Sequence, residues 1–402
     1  MSRVLIIDGE QRSALAAVRS LGSRGITVTV AEDHLPCLAS SSKYGAGGIK
    51  YASPQTQPEE FVDDLRRILR DDSYDLLIPM TDVTSYLIAD HYEELSKHTT
   101  IGMPPPEAFR AASDKGEMIR LADSLGIPLP QTHFPKSLDE LADLAAGLDY
   151  PVVLKPPRSR YLVGSQWVST KVDYAGSAEE LLNKVKSGAA SGALPVIQER
   201  ILGPGCGAFL LFQQGQEKVI FFHRRIREKP PSGGVSVLRE AIPVDTAMKE
   251  HAVKLLKALN WHGVAMVEFK QDPRDNQYKL MEINARFWGS LQLAIDAGID
   301  FPYLFYQMET GGDMGKVDAY RTGVRSRWLL GDLDHLLARL LKSNRRLNLP
   351  RGHPGRLSTL LRFLKLRESG TRYEVFRRAD MQPGFYEIKK YIADVAAGLV
   401  GR

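Results

Sequence analysis

Cysteine is almost missing from this chain: Cys37 and Cys206 are the two in 402 residues. That excludes a disulfide framework and fits a reducing cytoplasm. Long apolar runs are missing as well, and nothing approaches the ~20 apolar residues that a spanning helix needs. The opening MSRVLIIDGE has four consecutive apolar residues and no small-residue cleavage site, so it reads as a first strand rather than a signal peptide. The turn after it, DGEQRSA, lacks G-x-G-x-x-G, which withdraws support from a dinucleotide fingerprint. There is neither a long internal repeat nor a low-complexity segment. Acidic residues are scarce in one place: positions 317–402 hold 18 Lys/Arg against 8 Asp/Glu, within a chain of net charge +5. Such a basic segment suggests an anionic partner or a solvated helical face.

What is present is ordinary for a globular protein of two or three domains, with 43% hydrophobic and 25% charged residues. RVLIID, a helical SALAAVRSLGSRG and ITVTVAE make a β-α-β opening with a parallel sheet in view. PEEFVDDLRRILRD, DLLIPM and a helix from about Thr84 to Lys97 continue it, and IGMPPPEAF breaks the alternation. The fold class is therefore α/β, with an N-terminal parallel-sheet domain over 1–110. From SDKGEMIRLADSLGIPLP the chain starts again, with Ser113 as helix N-cap. A basic, mainly helical segment fills 313–402, its helix near Leu333, Leu336, Leu337, Leu340 and Leu341 amphipathic.

A hairpin carries the chemistry. In KLMEINARFWGSLQLA an acid, an amide and a base fall at every second position, so Glu282, Asn284 and Arg286 share one face of a strand. GVAMVEFK alternates in the same way, and folding about Asp275 sets Glu268 opposite Glu282. Facing carboxylates repel unless something positive lies between them. Mg²⁺ takes one or two carboxylates and fills its shell with water and phosphate oxygens. Glu268, Glu282 and Asn284 are thus expected to hold Mg²⁺, with Arg286 reaching a phosphoryl oxygen. Lys155 ends the strand PVVLKP, and Lys115 opens a helix where a cation is disfavoured by the dipole, which points to an anion nearby. FFHRRIREKPPSGG reads either as a flexible basic lid for anions or as a solvated hairpin tip.

Together these pieces resemble the ATP-grasp superfamily over residues 1 to 312, in the manner of carboxylate–amine ligases and the carbamoyl phosphate synthase large subunit. The matching residues are Lys115 in SDKGEM, Lys155 in VVLKP, Gln198 and Glu199 in VIQERIL, Glu268 in VAMVEFK, and Glu282, Asn284 and Arg286 in MEINARFWGS. The resemblance implies a small lysine-bearing unit over 111–192 and a larger one ending in a hairpin over 193–312. It implies ATP and Mg²⁺ (or Mn²⁺) as cofactors, with Lys115 and Lys155 on the α- and β-phosphates. It also implies adenine along Gln198 to Ile201, with Glu199 as the side-chain contact, and Arg286 on the transferring phosphoryl group. Two departures stand out. PPRSRYLVGSQWVS holds only Gly164 where relatives carry a glycine-rich loop, leaving Arg158, Ser159 or Arg160 for the phosphate, and Cys206 stands near the position of a ribose-binding acid.

The expected activity is Mg-ATP-dependent joining of a carboxylate, activated as acyl phosphate, to an amine. Thr81 and Asp82, after a parallel strand, are substrate candidates. Arg239 and the Gly233–Gly234 turn are candidates for the donor carboxylate or acyl phosphate. A phosphotransferase or thiol ligase on the same scaffold, and a non-catalytic module docking a membrane or nucleic acid through the basic tail, are the alternatives. Scattered tail aromatics argue against nucleic acid. The amphipathic tail helix suits packing on the ATP domain, on a second subunit, or against a membrane periphery.

Overall fold

A computed structural model describes residues 2–156, 160–163, 166–169, 172–188, 194–312, 314–350, 352–366 and 368–398. Five strands, β1 (Arg3–Ile7), β2 (Thr27–Glu32), β3 (Gly47–Lys50), β4 (Leu76–Ile78) and β5 (Thr100–Ile101), form an all-parallel sheet in the order β3-β2-β1-β4-β5. β4 and, after Arg3, β1 are apolar and buried at every position because helices cover both faces. At the C-terminal end of β1, Asp8 adopts a left-handed backbone (φ 61°). Its buried carboxylate accepts hydrogen bonds from Met80 N, Thr81 N and the Thr84 hydroxyl. That fixes the turn opening the helix Asp82–Asp90, whose N-cap is Thr81. The helix expected from Thr84 to Lys97 thus starts earlier, and it breaks at His91 before the short helix Tyr92–Leu95.

The second N-cap also differs from expectation. Ser113 is the last residue of the helix Pro106–Ser113, its hydroxyl donating back to Phe109 O. Asp114 caps the helix Lys115–Ser124 instead, accepting from Gly116 N and Glu117 N at 2.9 and 3.1 Å. Asp114→Ala is expected to lower stability by about 1 kcal/mol in urea unfolding, and an unchanged midpoint would show that the cap contributes nothing.

A small antiparallel sheet follows, made of β6 (Thr132–His133), β7 (Val152–Lys155), β10 (Asp173–Ala175) and β11 (Val196–Glu199) in the order β10-β7-β11-β6. β8 (Arg160–Val163) and β9 (Gln166–Ser169) pair with each other. The helices Leu138–Ala145 and Ala178–Gly188 cover the small sheet around Leu141, Leu154, Leu181 and Ile197. Next come β12 (Gly205–Gln213), β13 (Gln216–Lys229), β14 (Val235–Ala241), β15 (Gly263–Gln271) and β16 (Tyr278–Asn284). With β17 (Arg325–Arg327) and β18 (Thr371–Tyr373) they form a seven-stranded sheet in the order β16-β15-β12-β13-β14-β17-β18. The β15–β16 hairpin has the expected register, with Glu268 directly across from Glu282 and a bulge just after Glu268.

The basic C-terminal segment adds two strands besides its helices. Buried ion pairs dock it: Arg12 and Arg239 share Glu374, and Arg19 binds Asp380 at 2.8 Å. The helix Leu329–Leu341 buries Asp332, His335, Leu336 and Arg339, so a largely polar face meets the sheet in place of the expected leucine stripe. Asp332 there takes both Arg227 and Arg327. Among the described residues no helix is long and apolar enough to cross a membrane.

Candidate active site

The cleft between the small and the seven-stranded sheets has a volume of about 410 Å³. Lys155 reaches it from the end of β7, Gln198 to Ile201 from β11 and the residues after it, Glu268 from β15, and Glu282, Asn284 and Arg286 from β16 and its exit. Alternation along each strand does this, since one face of β15 and β16 is spent on the core (Val267, Phe269, Ile283) and the other is left for the cleft. Val153, Ile201, Met266 and Met281 give part of the cleft apolar walls, a slot suited to a flat heterocycle. A smaller recess of about 90 Å³ shares Glu282 and Asn284 and adds Lys115, Asp82 and Tyr86.

The charges are only partly balanced. Burial lowers the Lys155 ammonium to about 8; Glu282 and Glu268 hold it up, while Lys115 lowers it further. Burial raises the Glu268 carboxyl, Arg225 opposes that rise, and the facing Glu282 and the nearby Glu228 add to it. Arg225 explains why the facing acids are tolerated: it bonds Glu268 and also Glu228, the latter at 3.0 Å. Glu268 remains hard to ionise despite that cation, and Asn284 lies 3.3 Å from Glu282. Two half-buried carboxylates facing each other across the hairpin, with the Asn284 side-chain amide beside Glu282, form a donor set that fits a hard divalent cation.

Arg286 is held from the helix Asp82–Asp90, which follows β4 of the parallel sheet. One edge of its guanidinium, Nε and Nη2, donates to the two Asp82 oxygens at 3.0 Å, a bidentate pair that sets the plane of the group. Asp82 therefore orients Arg286 from the edge of the smaller recess, and Asp8 fixes Asp82 through the Thr81 turn. Thr81 itself is occupied as the N-cap, its hydroxyl 3.0 Å from that of Thr84.

Several expected residues lie elsewhere or are already engaged. Arg239 is fully buried outside the cleft, bound to Glu374, Ser326 and the Ser236 carbonyl. Glu199 lines the cleft, but its carboxylate accepts from Gln131 N and Arg274 at 2.9 and 2.8 Å. Gln198 donates to Thr132, and the Ile201 carbonyl accepts from Lys270. Cys206 faces a separate surface hollow, and burial pushes its thiol up to about 11. Gly233 and Gly234 do line the cleft; Gly233 has φ +131°, and a Cβ on Gly234 would lie 2.5 Å from Lys229 O. Arg158, Ser159 and Gly164 lie outside the described residues, as does the side chain of Arg160.

The basic lid is the main correction. Residues 223 to 229 belong to β13, and their cations are neutralised in place: Arg224 by Glu240, Arg225 by Glu228 and Glu268, Arg227 by Asp332, Lys229 by Asp334. Sequence reading missed Arg225 and Glu228 as cleft residues, along with Lys270, Trp288 and the fully buried His223, whose ring meets Phe209 edge-on at 4.5 Å. The available signal was alternation, since His223 and Arg225 stand two apart on one strand.

Residues 211–331 match a family model described as ATP-grasp in the biosynthetic pathway with Ter operon. The carbamoyl phosphate synthase large chain of Pyrobaculum aerophilum is 28% identical over 251 residues, 60% of this chain and 23% of that one. The D-aspartate ligase of Enterococcus faecium is 21% identical over 243 residues, 56% of this chain and 58% of the ligase. The chain spans about a quarter of the length of the first curated relatives it matches. Among solved structures, biotin carboxylase from Campylobacter jejuni superposes with a TM-score of 0.65 at 16% identity, covering 80% of this chain and 74% of that one. L-amino acid ligase from Bacillus licheniformis gives 0.59 at 18%, covering 78% and 75%.

Proposed function

We propose that this chain, a member of the ATP-grasp superfamily, is an ADP-forming ligase that uses Mg-ATP to join a carboxylate to an amine. The observation that carries this reading is the convergence of Lys155, Glu268, Glu282, Asn284 and Arg286 on one cleft with an apolar slot at its side. The similarity to two amino-acid ligases supports the substrate class.

In this reading the adenine lies in the apolar slot beside Ile201, and Lys155, with Lys115 from the smaller recess, sets a cation against phosphate oxygens. Glu268, Glu282 and Asn284 would hold Mg²⁺, which would supply charge neutralisation to the phosphates. The substrate carboxylate oxygen attacks the γ-phosphorus as its bond to ADP breaks, giving an acyl phosphate. Arg286, oriented by Asp82, stabilises the oxygens of the group in transit. The amine nitrogen then attacks the acyl carbon, losing a proton as inorganic phosphate leaves. The Gly233–Gly234 turn brings bare backbone to the cleft wall, where water must be kept from the acyl phosphate.

The test is ADP release across a panel of amino acids, dipeptides, hydroxy acids and polyamines, with product identification. Release that requires both a carboxylate and an amine and yields an amide supports the ligase. A stable phosphoester or thioester product would move the assignment to a phosphotransferase or thiol ligase. Release stimulated by no member of the panel would count against catalysis on small molecules.

Lys155 adds a pH prediction. Its folded pKa is lowered to about 8, so the free protein loses this cation as pH rises through that value. Nucleotide affinity should fall between pH 7 and 9.5 with an inflection near 8, and binding should take up a proton. In Lys155→Arg the inflection should disappear, because guanidinium keeps its charge throughout. A flat wild-type profile, read by equilibrium nucleotide binding, would contradict a phosphate role for Lys155.

A further inference from the structure

The stretch from Lys342 to Arg367 contains eight Lys/Arg and no Asp/Glu, unlike any other part of this chain. Within it lies the helix Arg356–Leu364, whose only buried residue is Thr359. Its inner side is tied down. Arg327 stacks on the Phe363 ring at 4.7 Å and donates to the carbonyls of Phe363 and Lys365, which closes the helix end. Its outer side is apolar: Leu357, Leu361 and Leu364 are 69%, 56% and 57% exposed at helical i, i+4, i+7 spacing, and Leu366 continues them. Arg356, Arg362 and Lys365 stand exposed among these leucines.

A leucine face set among cations, in a stretch without a single acid, has one well-matched counterpart, a surface that is apolar beneath and anionic above. We infer that the helix Arg356–Leu364 seats this protein on an anionic lipid bilayer, with the leucines entering the headgroup boundary and the cations meeting lipid phosphates. A second copy fits less well, since a two-fold contact would set the cationic stretches against each other. Nucleic acid would use the cations and leave the leucines in water, and Phe363, the aromatic of the helix, is held under Arg327. The surface is separate from the cleft, so membrane seating and ligase chemistry are tested independently.

The experiment uses full-length protein and flotation with vesicles of phosphatidylcholine alone or with 30 mol% phosphatidylglycerol (about 100 nm, chosen for low curvature). Binding is expected on the anionic vesicles only, to weaken on raising the salt from about 0.1 to 0.5 M as screening tightens, and to fall roughly fivefold for each of Arg356→Gln, Arg362→Gln and Lys365→Gln. Leu357→Ser/Leu361→Ser should abolish flotation while leaving thermal melting and vesicle-free ADP release unchanged, because both side chains already face water. Equal binding to neutral vesicles, no binding to either, or serine variants that float like the wild type would each overturn the proposal. So would a gel-filtration dimer lost in the serine variants, or tighter binding to a short RNA than to the vesicles.

Discussion

Replacing Glu282 by glutamine is expected to reduce ADP release about a thousandfold, the loss of several kcal/mol of charge stabilisation at roughly 1.4 kcal/mol per factor of ten. Glutamine keeps the volume and the cross-strand position opposite Glu268, so the hairpin should stay folded. What disappears is one of two facing negative charges, and with it much of the site's affinity for a divalent cation. The same change removes a charge that holds the Lys155 ammonium up, so the Lys155 inflection should move further below 8 in the variant. Raising Mg²⁺ should restore part of the rate. Turnover within tenfold of the wild type at the same Mg²⁺ concentration would remove Glu282 from the proposed metal set.

The second large effect is on stability. Glu374 is 2% exposed and carries two arginines, Arg12 from the helix Arg12–Gly22 and Arg239 from β14. Both cations hold its carboxyl below the usual range against the cost of burial. Glu374→Ala leaves two guanidinium groups in the interior without the carboxylate they share, and breaking such a pair costs about 3–5 kcal/mol. The denaturation midpoint should drop accordingly, and adding Arg239→Met should recover part of the loss by removing the cation that is fully buried. A Glu374→Ala protein within about 1 kcal/mol of the wild type would mean that the C-terminal segment is docked by its apolar contacts instead. By linkage, the depressed carboxyl contributes stability above its unfolded pKa, and this is lost as pH falls through its folded value.

Where the sequence could be read correctly, local pattern was enough. Period-two alternation placed Glu268 and Glu282 face to face, because a hairpin turn and the side-chain period together leave one register that buries Val267 and Ile283. Lys155 was legible as the polar end of an apolar strand, and the parallel N-terminal sheet as apolar-rich strands alternating with helices.

The misreadings share a cause. His223 to Lys229 looks like a mobile basic loop because its acids, Glu240, Asp332 and Asp334, come later in the chain, and nothing in the local stretch announces them. Arg239 looked available to substrate for the same reason, its partner Glu374 arriving from the last quarter of the chain. Asp82 was picked out for its place after a strand, while its bidentate hold on Arg286 joins residues 204 positions apart.

By itself, then, the sequence determined which residues could bear chemistry and which strands would carry them, since alternation and apolar content depend on neighbours a few positions away. The tertiary structure alone decided which of those charges remain for a ligand. Whether a cation is free or already paired depends on groups brought close through space, and in a low-dielectric interior that pairing outweighs any local preference.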